Sequence, residues 1–152
     1  MKHTYYFDQY MKDVSRLVSK YEKCKNPHIV AVYNQSLPLA VHVSNVLECP
    51  MSIVSIDGTG EAWWVLNNTE RREIRPDDAP LFPRLVCMDT IFQEGVFTAI
   101  KKLPEFINNP DYSFYTLFGH SNDLKVYYTH EMIYKSVDFP WQRKKLNSEL
   151  VL

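Results

Sequence analysis

An α/β fold, with a mainly parallel sheet flanked by helices and one small hairpin, is what this sequence predicts, and three observations lead to it. Ile29-Val30-Ala31-Val32-Tyr33 is a nearly all-apolar run of the kind that fills a parallel strand covered on both faces. A polar turn, a helix-forming stretch and a second short strand, Met51 to Ile56, follow it, making a right-handed βαβ unit of about thirty residues. From Leu85 the pattern recurs: an apolar strand runs into a polar turn, and Val96-Phe97-Thr98-Ala99-Ile100 opens a helix behind it.

Taken in order, Phe7, Met11, Val14, Val18 and Tyr21 recur at helical spacing, so residues 7 to about 24 form an amphipathic helix with that stripe in the core. Asn26-Pro27 ends it. After the first strand, Asn34 to Pro38 is a β-to-α turn with Ser36 as a candidate N-cap, and the helix spans about Leu39 to Glu48. Asp57-Gly58-Thr59-Gly60 marks a hairpin turn, with Ala62 to Leu66 as the return strand. Asn67 to Arg84 is a polar excursion containing Arg71, Arg72, Arg75 and three prolines. Its arginines either meet phosphates or pair with Glu70, Glu73, Asp77 and Asp78 on a solvated surface. Val96 to about Ile107 is helical, bent or shortened by Pro104. Strands follow at Tyr112 to Phe118 and Leu124 to Tyr128, and Val137 to Gln142 closes the pattern.

The 152 residues are expected to form one domain with a real core. A net charge of -1 gives no reason to expect a nucleic-acid or membrane partner. No run approaches the apolar length of a membrane span, and the N-terminus lacks a signal-peptide pattern, so a soluble, cytoplasmic protein is expected. Cys24, Cys49 and Cys87 share no CxxC spacing and read as buried or idle thiols in a reducing compartment. The five histidines form no zinc-type cluster. Only four glycines occur, where average usage would give about ten. Phosphate cradles need glycine for close backbone approach, and Gly95 alone sits in a candidate cradle.

The stretch from Asp89 to Phe97, with its apolar lead-in, resembles the diphosphate-sugar signature of the type I phosphoribosyltransferases: two acids, two apolar residues, Asp-Thr-Gly, a variable residue and Thr. Laid on it without gaps, Asp89 matches the first acid and Gly95 the glycine. Thr90, Gln93, Glu94 and Phe97 replace the second acid, the aspartate and the two threonines. The resemblance implies that this loop wraps the 5-phosphate of the sugar donor at the helix N-terminus. A Glu94 carboxylate about 4 Å from that phosphate would cost at most roughly 4 kcal/mol, about a thousandfold in affinity. Alternatively, Glu94 is simply a good dipole partner for a first helical turn.

Two further strings support the resemblance. Val32 to Ala40 is similar to the first pyrophosphate loop of the purine enzymes, with Asn34 in place of the arginine and Gln35 in place of a glycine; read alone, Asn34 to Ser36 is an ordinary polar turn. Phe139-Pro140-Trp141-Gln142 resembles the Phe-Pro-Trp-Glu close of the xanthine-guanine and hypoxanthine enzymes, whose preceding residues cover the purine. Ser136 or Tyr134 then falls at the stacking position, and His120 near the lysine that reads the purine's exocyclic oxygen. Alternatively, Phe139 and Trp141 pack the C-terminal segment onto the sheet.

Together the strings imply a type I phosphoribosyltransferase-like domain with a hood over residues 57 to 84. Its ligand residues would be Asn34, Gln35, Ser36, Thr90, Glu94, Gly95, Val96, Phe97, His120, Val137 and Phe139, brought to the carboxyl ends of the strands. Active members transfer the ribosyl phosphate of Mg-bound phosphoribosyl pyrophosphate to a purine, which would make Asp89 the Mg²⁺ and ribose ligand and Gln93 its catalytic companion. Members commonly dimerise. The substitutions separate three expectations. One is a degenerate relative that binds a purine, a nucleotide or a phosphoribosyl pyrophosphate-like molecule without ordinary turnover. The others are a divergent active enzyme and a non-catalytic interaction module.

Overall fold

A computed structural model describes residues 2–23, 27–69, 85–109 and 111–142 of the chain. The elements run β1 (Lys2–Thr4), α1 (Phe7–Tyr21), β2 (His28–Val32), α2 (Leu37–Leu47), β3 (Met51–Ile56), β4 (Ala62–Leu66), β5 (Leu85–Ile91), α3 (Glu94–Lys101), α4 (Pro104–Asn108), β6 (Tyr112–Gly119), β7 (Val126–Glu131) and β8 (Ser136–Asp138). Six strands form one sheet in the order β4-β3-β2-β5-β6-β7, parallel except for the β3–β4 hairpin. Strand order reverses between β2 and β5, the switch point at which open α/β sheets bind ligands. Among the described residues no helix is long and apolar enough to cross a membrane.

The central strands carry the core because they are apolar on both faces: all five residues of β2 are buried, as are Leu85 to Met88 of β5. Helices α1 and α2 cover one face with Tyr10, Val14, Leu17, Tyr21, Leu39 and Val43, and α3 and α4 cover the other with Phe97, Ile100 and Phe106. Cys87 is a buried free thiol and Cys49 is half-buried, while Cys24 lies outside the described residues. Asp57 holds the hairpin turn by accepting from the N–H groups of Thr59 and Glu61, with Gly60 at φ +83°. The arginines at 71, 72 and 75 also lie outside the described residues.

Several expectations need correction. Helix α1 turns a different face inward: Phe7 and Met11 are exposed, while Tyr10, Asp13, Val14, Leu17 and Tyr21 are buried. The inward stripe includes an aspartate because Asp13 finds donors inside, which the apolar pattern could not show. Ser36 precedes α2 but makes no side-chain cap; its hydroxyl donates back to the Val32 carbonyl. The stretch expected as one helix to about 107 is two, because the chain leaves α3 at Lys101 and Pro104 begins α4. Strand β7 starts two residues later than expected, after the Asp123–Lys125 turn, and runs on to Glu131.

Two features have no local sequence signal. Strand β1 pairs in parallel with β8, His3 opposite Val137, joining the two ends of the described chain. Strand β7 runs parallel to its immediate predecessor β6, Phe114 opposite Val126 and Gly119 opposite Glu131. Residues 120–125 must therefore return roughly 17 Å along the sheet. The seven Cα–Cα steps of this link could span about 23 Å fully extended, which leaves slack for the turn at Asp123–Lys125.

Candidate functional site

The register brings two of the sequence-picked strings, at Asn34 and at Asp89, to one edge together with His120. Ala31 of β2 lies opposite Met88 of β5, so the turn at 33–36 emerges beside Asp89 and Thr90. Ile91 lies opposite Phe118, and the Phe92 N–H donates to the Phe118 carbonyl at 2.9 Å, which sets Gly119 and His120 beside the start of α3. The Tyr33–Asn34 peptide bond is cis. Asn34 and Gln35 are exposed there, whereas Ser36 is buried.

The candidate cradle is shorter than the sequence implies. Strand β5 continues through Ile91, because Thr90 and Ile91 suit a strand, so Asp89 and Thr90 belong to the sheet and only Phe92 and Gln93 form the turn. Asp89 is half-buried, and its carboxylate accepts from the Thr90 N–H at 2.7 Å. Desolvation pushes its pKa up to about 7, partly offset by hydrogen bonds from Thr90. Thr90 is itself buried. Gln93 stands at the N-cap of α3 without a side-chain cap bond, and Gln93, Glu94 and Gly95 are exposed. A Cβ at Gly95 would meet no atom within 4 Å, so Gly95 faces open space, while Val96 is half-buried against the core.

Other picked residues serve the interior. The Phe97 side chain is 1% exposed, packed against Phe92 and Phe114, and its N–H bonds the Gln93 carbonyl, so the side chain is core and not a ligand contact. Phe139 is equally buried against Tyr5, Phe118 and Trp141, which is the packing reading of that string. Val137 is buried within β8, opposite His3 of β1. His120 is exposed, 3.4 Å from the Glu131 carboxylate.

The arrangement offers Mg²⁺ a poor home. Magnesium sites of this kind use one or two ionised carboxylates with substrate phosphates. Here Asp89 is the one carboxylate at this position, and its neighbour is a buried Thr90. Among the described residues no group of three His, Cys, Asp or Glu side chains is placed to hold a metal.

A cavity of about 480 Å³ opens beside this edge, not within it. It is lined by β1, the start of α1, Phe118, His130, Glu131, Ile133 and Tyr134. Of the residues singled out in the sequence, only Tyr134 lines it, stacked on His3 at 4.3 Å. Behind the wall Asp13, 0% exposed, accepts from the Tyr5 hydroxyl, from Gln9 Nε2 at 3.2 Å and from His130 Nε2 at 2.7 Å. Burial, then the Asp13 carboxylate, holds the Tyr5 pKa far above the phenol range, so Tyr5 stays a donor. Sequence reasoning missed these residues because they depend on the direction of β7: the parallel return carries His130 and Glu131 to the same edge as Gly119.

No protein-family model and no curated protein matches the sequence. By structure, the chain is similar to the xanthine-guanine-hypoxanthine phosphoribosyltransferase of Helicobacter pylori, at 17% identity and a TM-score of 0.66, with 99% of each chain covered. It is similar to a purine phosphoribosyltransferase from Pyrococcus horikoshii, at 17% identity and 0.66, with 93% of each chain covered. It is also similar to a hypothetical protein from Neisseria gonorrhoeae solved with bound ppGpp, at 15% identity and 0.64, covering 99% of this chain and 95% of that one. The sheet order, the lone antiparallel edge hairpin and these likenesses agree: the chain has the fold of the type I phosphoribosyltransferases.

Proposed function

We propose that this protein binds a purine- or nucleotide-type small molecule at the carboxyl edge of its sheet and does not carry out ordinary phosphoribosyl transfer. The observation that carries this reading is the chemistry of the α3 N-terminus. Where a donor phosphate needs hydroxyls and backbone N–H groups, the chain presents Glu94, exposed in the first turn, beside an Asp89 that burial keeps protonated to about pH 7. The helix N-terminus still favours an anion, but its own Glu94 already supplies one. The structural likenesses include enzymes named for purines and a protein solved with bound ppGpp, so they support the ligand class without selecting catalysis.

The test is pyrophosphate release with phosphoribosyl pyrophosphate, Mg²⁺ and each purine base in turn. No release above the uncatalysed background is expected, together with measurable binding of a purine or nucleotide by calorimetry. Turnover near about one per second, an ordinary enzymatic rate, would overturn the reading and make Asp89 a metal and ribose ligand.

A further inference from the structure

We infer that the outer edge of β4 is an interface between two copies of this chain, pairing antiparallel about a twofold axis so that two six-stranded sheets become one. This inference does not rest on the reading of the α3 edge, because β4 carries none of the residues argued for that site.

The two margins of the sheet differ in how they are protected. At one margin β7 is preceded by Lys125, ends on His130 and Glu131, and has the Lys20 ammonium 3.7 Å from the centre of its Tyr127 ring. Charges so placed keep a strand edge from pairing with another chain. At the other margin β4 reads Ala-Trp-Trp-Val-Leu, with no charge and no proline. It pairs with β3 on one side only, Trp63 opposite Ser55 and Trp64 opposite Val54, so its other row of N–H and C=O groups is unpaired among the described residues. Such an edge is a template for a further strand.

The side chains of β4 point the same way. Trp63 is 46% exposed, Val65 53% and Leu66 42%. Leu66 stands opposite Ile53, which packs into the core beneath α1 and α2, and Trp63 stands opposite Ser55, so both lie on the face of the sheet that α2 covers. Helix α2 packs over β2, β3 and β5 and leaves this row bare. Val65, the extra residue where the β3–β4 register shifts, adds a third apolar group. Trp64 turns to the opposite face, stacked on Phe106 and donating to Glu105 at 3.0 Å, which anchors the strand.

Symmetry and area select the occupant. With Trp64 on the axis, antiparallel pairing sets Trp63 of each copy opposite Val65 of the other, an aromatic facing a β-branched residue twice over. No like charges meet between the strands, since Ala62 to Leu66 carries none. The three exposed side chains offer roughly 250 Å² per copy. Even with the strand backbone added, two copies bury less than the ~1,200 Å² at which stable interfaces begin. The dimer is therefore weak and concentration-dependent.

The experiment follows the mass of the full chain by sedimentation velocity from about 5 to 500 μM, a range that brackets weak specific association. It uses the parent and the variants Trp63→Glu, Val65→Glu and Met11→Glu, with deuterium exchange of the parent measured at both ends of the range. Met11 is exposed on α1, the helix tied to β7 through Asp13 and His130, and controls for the added charge. The parent should pass from monomer to dimer, and its β4 amides should exchange several-fold more slowly at the higher concentration while those of β7 stay unchanged. Either β4 glutamate, which the axis presents twice, should weaken the dimer tenfold or more, and Met11→Glu should leave it within twofold. Exchange in the parent keeps the inference falsifiable if both β4 variants fail to fold. A parent still monomeric at about 500 μM overturns it, whether another segment of the chain or a different protein then covers the edge. It is equally overturned by a dimer that survives both β4 glutamates, or by β4 amides that exchange alike at both concentrations.

Discussion

Two neighbouring regions of one sheet edge are built on opposite principles. The α3 edge is exposed from Gln93 to Gly95, its residues are near neighbours in sequence, and its chemistry rests on backbone N–H groups beside two acids. The cavity under β1 is concave and aromatic, and its central hydrogen bond joins residues 117 positions apart. A loop site can lose its function by substitutions that leave the fold untouched, because its side chains carry little packing. A site whose acceptor is buried inside a helix face cannot change without disturbing the core.

That contrast can be broken or sharpened by four substitutions, in decreasing order of expected effect. Asp13→Ala should cost about 3–5 kcal/mol in urea unfolding, since it leaves the Tyr5 hydroxyl and His130 without their shared acceptor. A loss within experimental error would mean that the cavity wall does not depend on Asp13.

Asp89→Asn should act in the other direction. Burial raises the Asp89 pKa from 3.8 to about 7, so the folded state binds this proton more tightly than the unfolded chain does. The resulting stability is fully present below about pH 4 and is lost as pH rises through about 7. Asparagine removes that loss. Near pH 8 the variant should be more stable than the parent by about 2–4 kcal/mol, allowing for partial exposure, with no gain near pH 4. Thermal melts across that range would show it, and a pH-independent difference would contradict it.

Gly119→Ala tests the junction between the two regions. Its Cβ would stand 2.8 Å from Thr116 Oγ1, 3.1 Å from Phe92 Cβ and 3.2 Å from Tyr128 Cβ. Overpacking of this kind should cost about 1–3 kcal/mol by chemical denaturation; a neutral result would show that β6 and β7 can part there freely. The smallest effect is expected at Glu94→Gln. Losing a charge in the first turn of α3 should cost about 0.3–1 kcal/mol at low salt, while inorganic phosphate or ribose 5-phosphate should bind several-fold better in nuclear magnetic resonance titrations. Unchanged phosphate binding would remove Glu94 as the obstacle.

The sheet was legible in the sequence because its strands announce themselves. Ile29 to Tyr33 and Met51 to Ile56 fall within one residue of β2 and β3, and the Asp57-Gly58-Thr59-Gly60 signal sits at the observed hairpin. The turn at Asn34, the stretch from Asp89 and His120 share one edge, whereas the Phe139-Pro140-Trp141 string packs into the core instead of joining them. What stayed hidden depends on non-local pairing. Three residues at each end, Lys2–Thr4 and Ser136–Asp138, are too few to show a period, and the direction of β7 is set by its partner and not by its composition. The inward face of α1 could have been found, because Tyr10, Asp13, Val14, Leu17 and Tyr21 also keep helical spacing. Placing an aspartate in that stripe required its acceptor role to be known first.

The β1–β8 pairing has a kinetic consequence. Its two three-residue strands are 134 positions apart at His3 and Val137, so this small sheet closes only after most of the chain is in place and should be among the first segments to reopen. Its amides should exchange with deuterium faster than those of β2 and β5. Any molecule that fills the space beneath it should slow that exchange at residues far apart in sequence.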